Sequence, residues 1–475
     1  MANTPTHTEL VAQLQARWPE HRIGPGLARV RALCDLLGNP ERSAPVIQIT
    51  GTNGKGSTAI MIDALLRAQG LRTGRTASPH LTDVTERICI DGEPIAPQTF
   101  DEIWAQVEPM VRMVDEQQID GIPMTFFEVI TGMAFAAFAD APVDVIILEV
   151  GMGGTWDASN VADAQVAVIT PIDLDHTNHL GTTIAAIATE KAGIIKPDAT
   201  AVIAGQQPEA ARVLMERCAE VGAMPVLEGP GFGLLERQRA VGGQVLRINT
   251  AGGPVGDLHL PLHGEHMAAN AAQAVAAVEA FLGGHPLEAE VISDAFSVLE
   301  APARLELMRT SPSVVVDTAH NPHGVRATLA AVEETFGFQP LIGVVAMMRD
   351  KDIDTVMDLL SQTLDRVVAT TVSSTDRGMP VAELVEVAEG VFGAARVDSA
   401  PTMGQALDLA LSLADQAGAS AGVLVIGSVI AAGEARAILL PGKLREQAEA
   451  AHDSILRVGP TRADVPSLSE SESDW

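Results

Sequence analysis

Short apolar runs rich in Val and Ile recur along the chain. Each is followed by a turn of Gly, Asn, Ser or Asp and then by an Ala/Leu-rich segment with helical spacing. The first runs lie at residues 46–50, 143–150, 165–170 and 201–204, and later ones at 314–317, 341–347, 366–370 and 422–426. Strands that are apolar on both faces and alternate with helices predict an α/β fold with parallel sheets covered on both sides. Residues 229–261 break this rhythm, being Gly-rich with short alternating stretches, and predict antiparallel hairpins added to a first domain. An Ala-rich helix is expected over 266–282, and the Pro302-containing segment 299–304 precedes a new strand–helix series. The expected division is therefore residues 1–300, residues 301–458, and an acidic, aperiodic tail over 459–475 that is expected to be disordered.

A length of 475 residues fits two cores better than one, and 47% hydrophobic residues supply them. The first ten residues have neither a basic segment nor an apolar core, so no secretory signal is expected. No apolar run approaches the ~20 residues needed to span a bilayer. Cys34, Cys89 and Cys218 are widely separated and match no metal or redox spacing; reduced thiols in a cytoplasmic protein are the expectation. The formal charge of −30, from 31 Lys+Arg against 61 Asp+Glu, opposes binding to nucleic acid or to an anionic membrane. It opposes anionic small molecules too. A nucleotide site in this chain must rely on local backbone dipoles, a few placed cations and a metal.

One segment has those properties. The run Val46-Ile-Gln-Ile-Thr50-Gly-Thr-Asn-Gly-Lys55-Gly-Ser-Thr58 reads as a buried strand, a Gly-rich turn and a helix start. Such a turn aims backbone N–H groups and a helix dipole at phosphate. Thr52, Asn53, Gly54, Gly56 and Ser57 would line it, Lys55 would meet the outer phosphates, and Ser57 or Thr58 would face a metal. The strict phosphate-loop pattern fails twice, with Ile49 in place of its first Gly and Gly56 in place of its Ser/Thr. A tight strand–helix connection is the plainer alternative, but a Lys followed by small hydroxyls has no packing purpose.

The run from Thr50 to Thr58 resembles the phosphate loop of folylpolyglutamate and dihydrofolate synthases, within the Mur ligase superfamily. Further segments agree in order: Ala77-Ser-Pro-His-Leu81, Thr125-Phe-Phe-Glu128, Leu148-Glu-Val-Gly-Met-Gly-Gly154, Leu174-Asp-His-Thr177, Glu190-Lys-Ala-Gly-Ile194, His263-Gly-Glu-His266 and Asp317-Thr-Ala-His-Asn-Pro322. The resemblance implies a Mur-ligase-like α/β architecture. That is a P-loop-type parallel-sheet ATPase domain with a small antiparallel addition, joined to a second, Rossmann-like domain. It also implies ATP-dependent ligation of L-glutamate to a folate or dihydropteroate carboxylate through an acyl phosphate, in a cytoplasmic monomer.

Glu149 closes an apolar strand, where a carboxylate faces the ligand crevice of a parallel sheet or else caps a neighbouring helix. By resemblance it is a magnesium ligand with Ser78 and His176, beside the Ser57 that the loop pattern already offers as a metal ligand. From the residues alone His176 is a general base or a hydrogen-bonded loop histidine, because Mg²⁺ prefers oxygen. Lys191 reads by itself as a surface lysine paired with an acid. The resemblance instead implies a lysine carbamylated by CO₂ that helps to hold a second Mg²⁺. Asn270 and Arg304 resemble ATP contacts, Arg304 reaching phosphate only when the second domain closes. Asp317 would bind ribose hydroxyls and His320 would lie near the nucleotide or the acyl phosphate, although both would also suit a helix cap. Asp350, Lys351, Asp352, Ser373, Ser374 and Arg377 are candidate glutamate contacts. Residues 24–30, Phe126 and Phe127 are candidates for the pterin side, with core packing the alternative for either Phe.

Three positions depart from the family pattern. Thr155 stands where an Arg is usual, removing a substrate-side cation unless Arg87 supplies it. Met267 replaces a Gln, and Ala303 replaces a Gly, which is expected to demand only ordinary backbone angles. These departures bear on substrate preference more than on ATP chemistry. A Mur-type ligase acting on a cell-wall precursor and a catalytically silent ATP-binding relative are the alternatives. The first is disfavoured because no separate UDP-binding N-terminal domain is expected here and because the Ser78-Pro-His-Leu81 and His320-Asn-Pro322 elements suit the folate branch. The second leaves the joint presence of Lys55, Glu149, His176 and Lys191 without a purpose.

Overall fold

A computed structural model describes residues 6–17 and 24–457, with side chains up to 444. The expected tail at 459–475 lies outside the described residues. Among the described residues, eleven strands precede residue 261. They are β1 (Val46–Thr50), β2 (Thr73–Thr76), β3 (Ile88–Ile90), β4 (Glu93–Pro94), β5 (Val145–Glu149), β6 (Val166–Ile169), β7 (Thr200–Ile203), β8 (Met224–Leu227), β9 (Gly233–Ala240), β10 (Gly243–Thr250) and β11 (Gly253–Leu260). The first eight form one sheet in the order β4-β3-β2-β5-β1-β6-β7-β8, parallel except for β3 and β4 at one edge. The last three form a separate antiparallel sheet in the order β11-β10-β9. Six more follow: β12 (Glu306–Thr310), β13 (Ser313–Val316), β14 (Leu341–Val345), β15 (Arg366–Ala369), β16 (Val397–Ser399) and β17 (Gly422–Ile426). Their order is β12-β13-β17-β14-β15-β16, antiparallel only at β12.

The central strands are apolar because both faces are covered: every residue of β1, β5, β14 and β17 is buried. Helices Lys55–Ala68 and Glu265–Phe281 share one face of the large sheet with the three-stranded sheet, and Phe126–Asp140 packs on the other. Strand β1 lies between β5 and β6, so its C-terminal end opens at the middle of the sheet, where ligands of open α/β sheets bind. The strand ends carrying Thr50, Glu149 and Ile169 thus converge on one crevice.

Ala303 departs from the expectation of ordinary backbone angles. It has φ +54°, in the left-handed region, and Leu305 follows at φ +50°. The chain makes a tight turn here to bring Arg304 inward, with Ala303 N donating to Glu306 Oε2 at 2.7 Å. A Cβ in this region is strained, so Ala303→Gly is expected to stabilise the fold by about 0.5–1 kcal/mol after allowing for glycine's extra unfolded-chain entropy. Urea unfolding of the two proteins measures the difference, and a less stable variant would contradict the assignment of strain.

Candidate active site

The chain leaves β1 through Gly51 at φ +147° and enters the Lys55–Ala68 helix through Gly54 at φ +89°. A Cβ on Gly51 would lie 1.8 Å from Thr170 Oγ1, so glycine alone passes this point. At Gly54 a Cβ would stand 2.9 Å from Asn270 Oδ1, which places Asn270 directly over the loop. Lys55 folds back, its Nζ donating to the carbonyls of Gly51 (3.2 Å) and Thr52 (3.3 Å). Burial pushes the Lys55 pKa down, while Glu149 and Asp175 oppose the shift. Thr52 Oγ1 exchanges hydrogen bonds with the backbone of Asp173. Ser57 and Thr58 are buried, and Thr58 Oγ1 has no hydrogen-bond partner.

Glu149 reaches the loop from the neighbouring strand. Both its oxygens lie 3.6 Å from the point where a Gly56 Cβ would stand, as does Arg304 Nη2. Arg304, expected to arrive only on domain closure, is already beside the loop and donates to Thr318 Oγ1. Ser78 N donates to Glu149 Oε2 at 3.3 Å. Burial raises the Glu149 pKa, and the charges of Lys55 and Arg304 counter it.

Lys191 is not the surface lysine that its local sequence suggests. It is 4% exposed, and its Nζ donates to Gly51 O at 2.8 Å. Burial, reinforced by the nearby Lys55 charge, pulls its pKa down to about 7. Thr155, in place of the usual Arg, bonds the Glu190 carbonyl through both N and Oγ1, beside Lys191. Arg87, the candidate to replace that Arg, lines a small pocket with Ser78, Phe127 and Glu149. It is 2% exposed, donates to His80 Nδ1 at 2.8 Å and lies over the Phe126 ring at 5.0 Å.

Asp175, which sequence reasoning misses, ties the two halves together. It accepts from Lys351 Nζ at 2.6 Å and from Asn321 Nδ2 at 3.0 Å, and His320 Nε2 stands 3.5 Å away. Burial alone would raise its pKa; His320 and Lys351 overcome this and hold the carboxyl well below the usual range. Asn53 and Asn321 exchange two amide hydrogen bonds at 3.1 and 3.0 Å across the same junction. The only signal for Asp175 in the sequence is its place beside His176. Burial, with the Lys351 charge, lowers the His176 pKa to about 3, so its imidazole is neutral at physiological pH. The Asp317 carboxylate, the expected ribose contact, accepts from Leu305 N, Ala319 N and Thr328 Oγ1. It organises the Arg304 turn.

A cavity of about 550 Å³ runs from this junction along the first domain's far wall. Ser78, His176, His320, Asp350, Lys351 and Arg377 line its polar end, and Phe127, Met152 and Trp156 contribute apolar surface. Phe126 is instead core, 3% exposed. Gly24 and Gly26 reach the cavity, their segment held by buried Arg29, which donates to Gly24 O and pairs with Glu128 and Asp120. Ser373 and Ser374, the candidate glutamate contacts, donate to Glu434.

Among the described residues no three His, Cys, Asp or Glu side chains converge on a preformed metal cage. The donors present are one carboxylate, Glu149, buried hydroxyls, and the unpartnered Thr58 oxygen. That set suits a small hard cation that keeps water and takes its other ligands from phosphate. No helix among the described residues is long and apolar enough to cross a membrane.

Residues 49–278 match the Mur ligase middle domain and residues 303–429 the Mur ligase glutamate ligase domain. The chain is 46% identical over 464 residues to the dihydrofolate synthase/folylpolyglutamate synthase of Mycobacterium tuberculosis, covering 91% of this chain and 95% of that protein. The Escherichia coli protein of the same description is 33% identical over 340 residues, covering 72% and 76%. Among solved structures, the M. tuberculosis folylpolyglutamate synthase complexed with ADP superposes with a TM-score of 0.88 over 91% of this chain and 98% of that one. The E. coli enzyme with DHPP and ADP superposes with a TM-score of 0.80 at 30% identity, over 93% and 99%. Identity over almost the full length, two consecutive domain matches and the same fold agree: the chain belongs to the dihydrofolate synthase/folylpolyglutamate synthase family of ATP-dependent Mur ligases.

Proposed function

We propose that this protein joins L-glutamate to the carboxylate of a folate or of dihydropteroate, using ATP in two steps. One observation carries the reading. The cleft brings together Lys351 and Arg377 of the second domain, an apolar wall with Phe127 and Trp156, and Ser78, whose N donates to Glu149, the carboxylate beside the phosphate loop. A carboxylate is a poor acyl donor, so its oxygen first attacks the γ-phosphorus and ADP leaves. The glutamate amine then attacks the acyl carbon, phosphate leaves, and the amine loses a proton. Lys55, Arg304 and the loop amides hold the transferring phosphoryl group, as positioning and charge stabilisation dominate such transfers. His320, in the cleft and backed by Asp175, receives the amine proton. Asn270 packs on the nucleotide loop.

Mg²⁺ would be held through Ser57, Ser78, Glu149 and the neutral His176, with Lys191 serving a second ion after carbamylation; the metal would neutralise phosphate charge. In this reading residues 1–300 bind ATP and residues 301–458 bind glutamate, in a cytoplasmic monomer whose partners are small molecules, with neither nucleic acid nor membrane among them.

The test supplies ATP, Mg²⁺ and labelled glutamate with dihydropteroate, tetrahydrofolate or a UDP-muramoyl acceptor. Labelled product and ADP are expected with a pterin; neither with any pterin would overturn the proposal. Phe127→Ala is expected to raise the KM for the pterin acceptor about tenfold by removing a stacking face, with the KM for ATP unchanged. Equal KM values in variant and wild type would place the pterin elsewhere.

A further inference from the structure

The helix that begins at Val429 does three things within its first two turns. Ser428, Val429 and Ile430 line the cleft. Gly433 then packs against the first domain's loop at residues 78–81: a Cβ there would stand 2.0 Å from the Leu81 carbonyl oxygen. A helix backbone can approach that carbonyl only where it has no side chain. The next residue, Glu434, reaches the other wall. Its Oε1 accepts from Ser373 N at 2.7 Å, and from Ser374 N, Ser373 Oγ and Ser374 Oγ at 3.0 Å each.

Glu434 Oε1 thus faces the N–H groups and hydroxyls of both serines, a charge-assisted anchor for an exposed polar loop. The reason for the anchor lies just beyond the serines. The loop runs on to Arg377, which lines the cleft and donates to Asp350 Oδ1 at 2.9 Å. Its far end is pinned to the sheet by Arg349 N donating to Arg377 O (3.2 Å) and Met379 N donating to Met347 O (2.9 Å). Its near end, from Ser373 to Asp376, carries short polar side chains, and Glu434 gathers the two serines there. Arg377 N donates to Thr375 Oγ1 at 3.3 Å, so release of the serines would remove the support of the Arg377 backbone on that side and leave its guanidinium less firmly placed.

We propose that Glu434 is a positioning residue for recognition of the amino-acid substrate. It fixes the loop so that Arg377 is presented to a carboxylate of the incoming glutamate, while Gly433 registers the same helix against the loop holding Ser78. One helical turn thereby sets both walls of the glutamate end of the cleft. This rests on the ligase reading above.

The experiment uses the full-length protein in the glutamate-ligation assay. Glu434→Ala is expected to raise the KM for glutamate about tenfold and leave the KM for ATP within about twofold. In an Arg377→Ala background the same substitution is expected to add nothing, since its effect passes through that guanidinium. Limited trypsin digestion is expected to cut after Arg377 faster in Glu434→Ala than in wild type. Should Glu434→Ala fold poorly, Glu434→Gln keeps the size while losing the charge, and is expected to show a smaller shift of the same kind. An unchanged KM for glutamate, or effects of Glu434 and Arg377 that simply add, would overturn the proposal. Failure of the wild type to ligate glutamate at all would instead overturn the ligase reading.

Discussion

Replacing Lys55 with alanine is expected to lower kcat by on the order of 10³-fold or more, with the fold intact. The amine is folded against the loop carbonyls of Gly51 and Thr52, in a pocket where burial already disfavours its charge. In this state it has only carbonyl dipoles and the Glu149 and Asp175 charges to compensate it. Phosphate would offer far more, so the side chain is expected to swing onto the nucleotide when that binds. The protein's overall −30 charge makes this cation harder to replace, since the mean field repels ATP. The fold is expected to survive because Lys55 forms no part of the apolar core and the truncation removes a desolvated charge. Circular dichroism melting separates the two effects, and wild-type turnover in a folded variant would refute the phosphate-loop assignment.

The parts legible in the sequence are those whose chemistry is local. The apolar strands at 46–50 and 422–426 read correctly because burial on both faces leaves an unbroken Val/Ile signature. Strands β2, Thr-Gly-Arg-Thr, and β16, Val-Asp-Ser, escape notice because they are short and polar. Arg75 within β2 is nonetheless 8% exposed, its guanidinium reaching Cys89 Sγ at 3.3 Å. The phosphate loop is legible for the same local reason, its glycines and lysine being adjacent in sequence. Asp175 is not, because its meaning comes from Lys351 and Asn321, more than a hundred residues away, and only the junction of the two sheets brings them together. Ala303 misleads for a related reason: an alanine gives no sign of a left-handed backbone that Arg304 and Glu306 impose on it.

Lys191 carries the second large expectation. A lysine reacts with CO₂ only as the free amine, which attacks carbon to give an anionic carbamate and releases a proton. With an ordinary pKa almost none would be free at neutral pH. Buried beside Lys55 and brought down to about 7, roughly half is. Native mass analysis of active protein is therefore expected to show one added CO₂ that Lys191→Met lacks, and the variant is expected to lose on the order of 10²-fold in kcat. Wild-type activity is expected to fall as pH drops through about 7, as the amine protonates and the carbamate is lost. Stability gives an independent reading in CO₂-free buffer. The folded pKa lies below the unfolded value of 10.5, so between about 7 and that value the unfolded chain binds more protons. Stability must then rise with pH across this window through Lys191, and Lys191→Met must flatten that rise. Urea unfolding at both ends of the window decides it: equal slopes in wild type and variant would show a lysine that stays protonated on folding, and would remove the chemical basis for its modification.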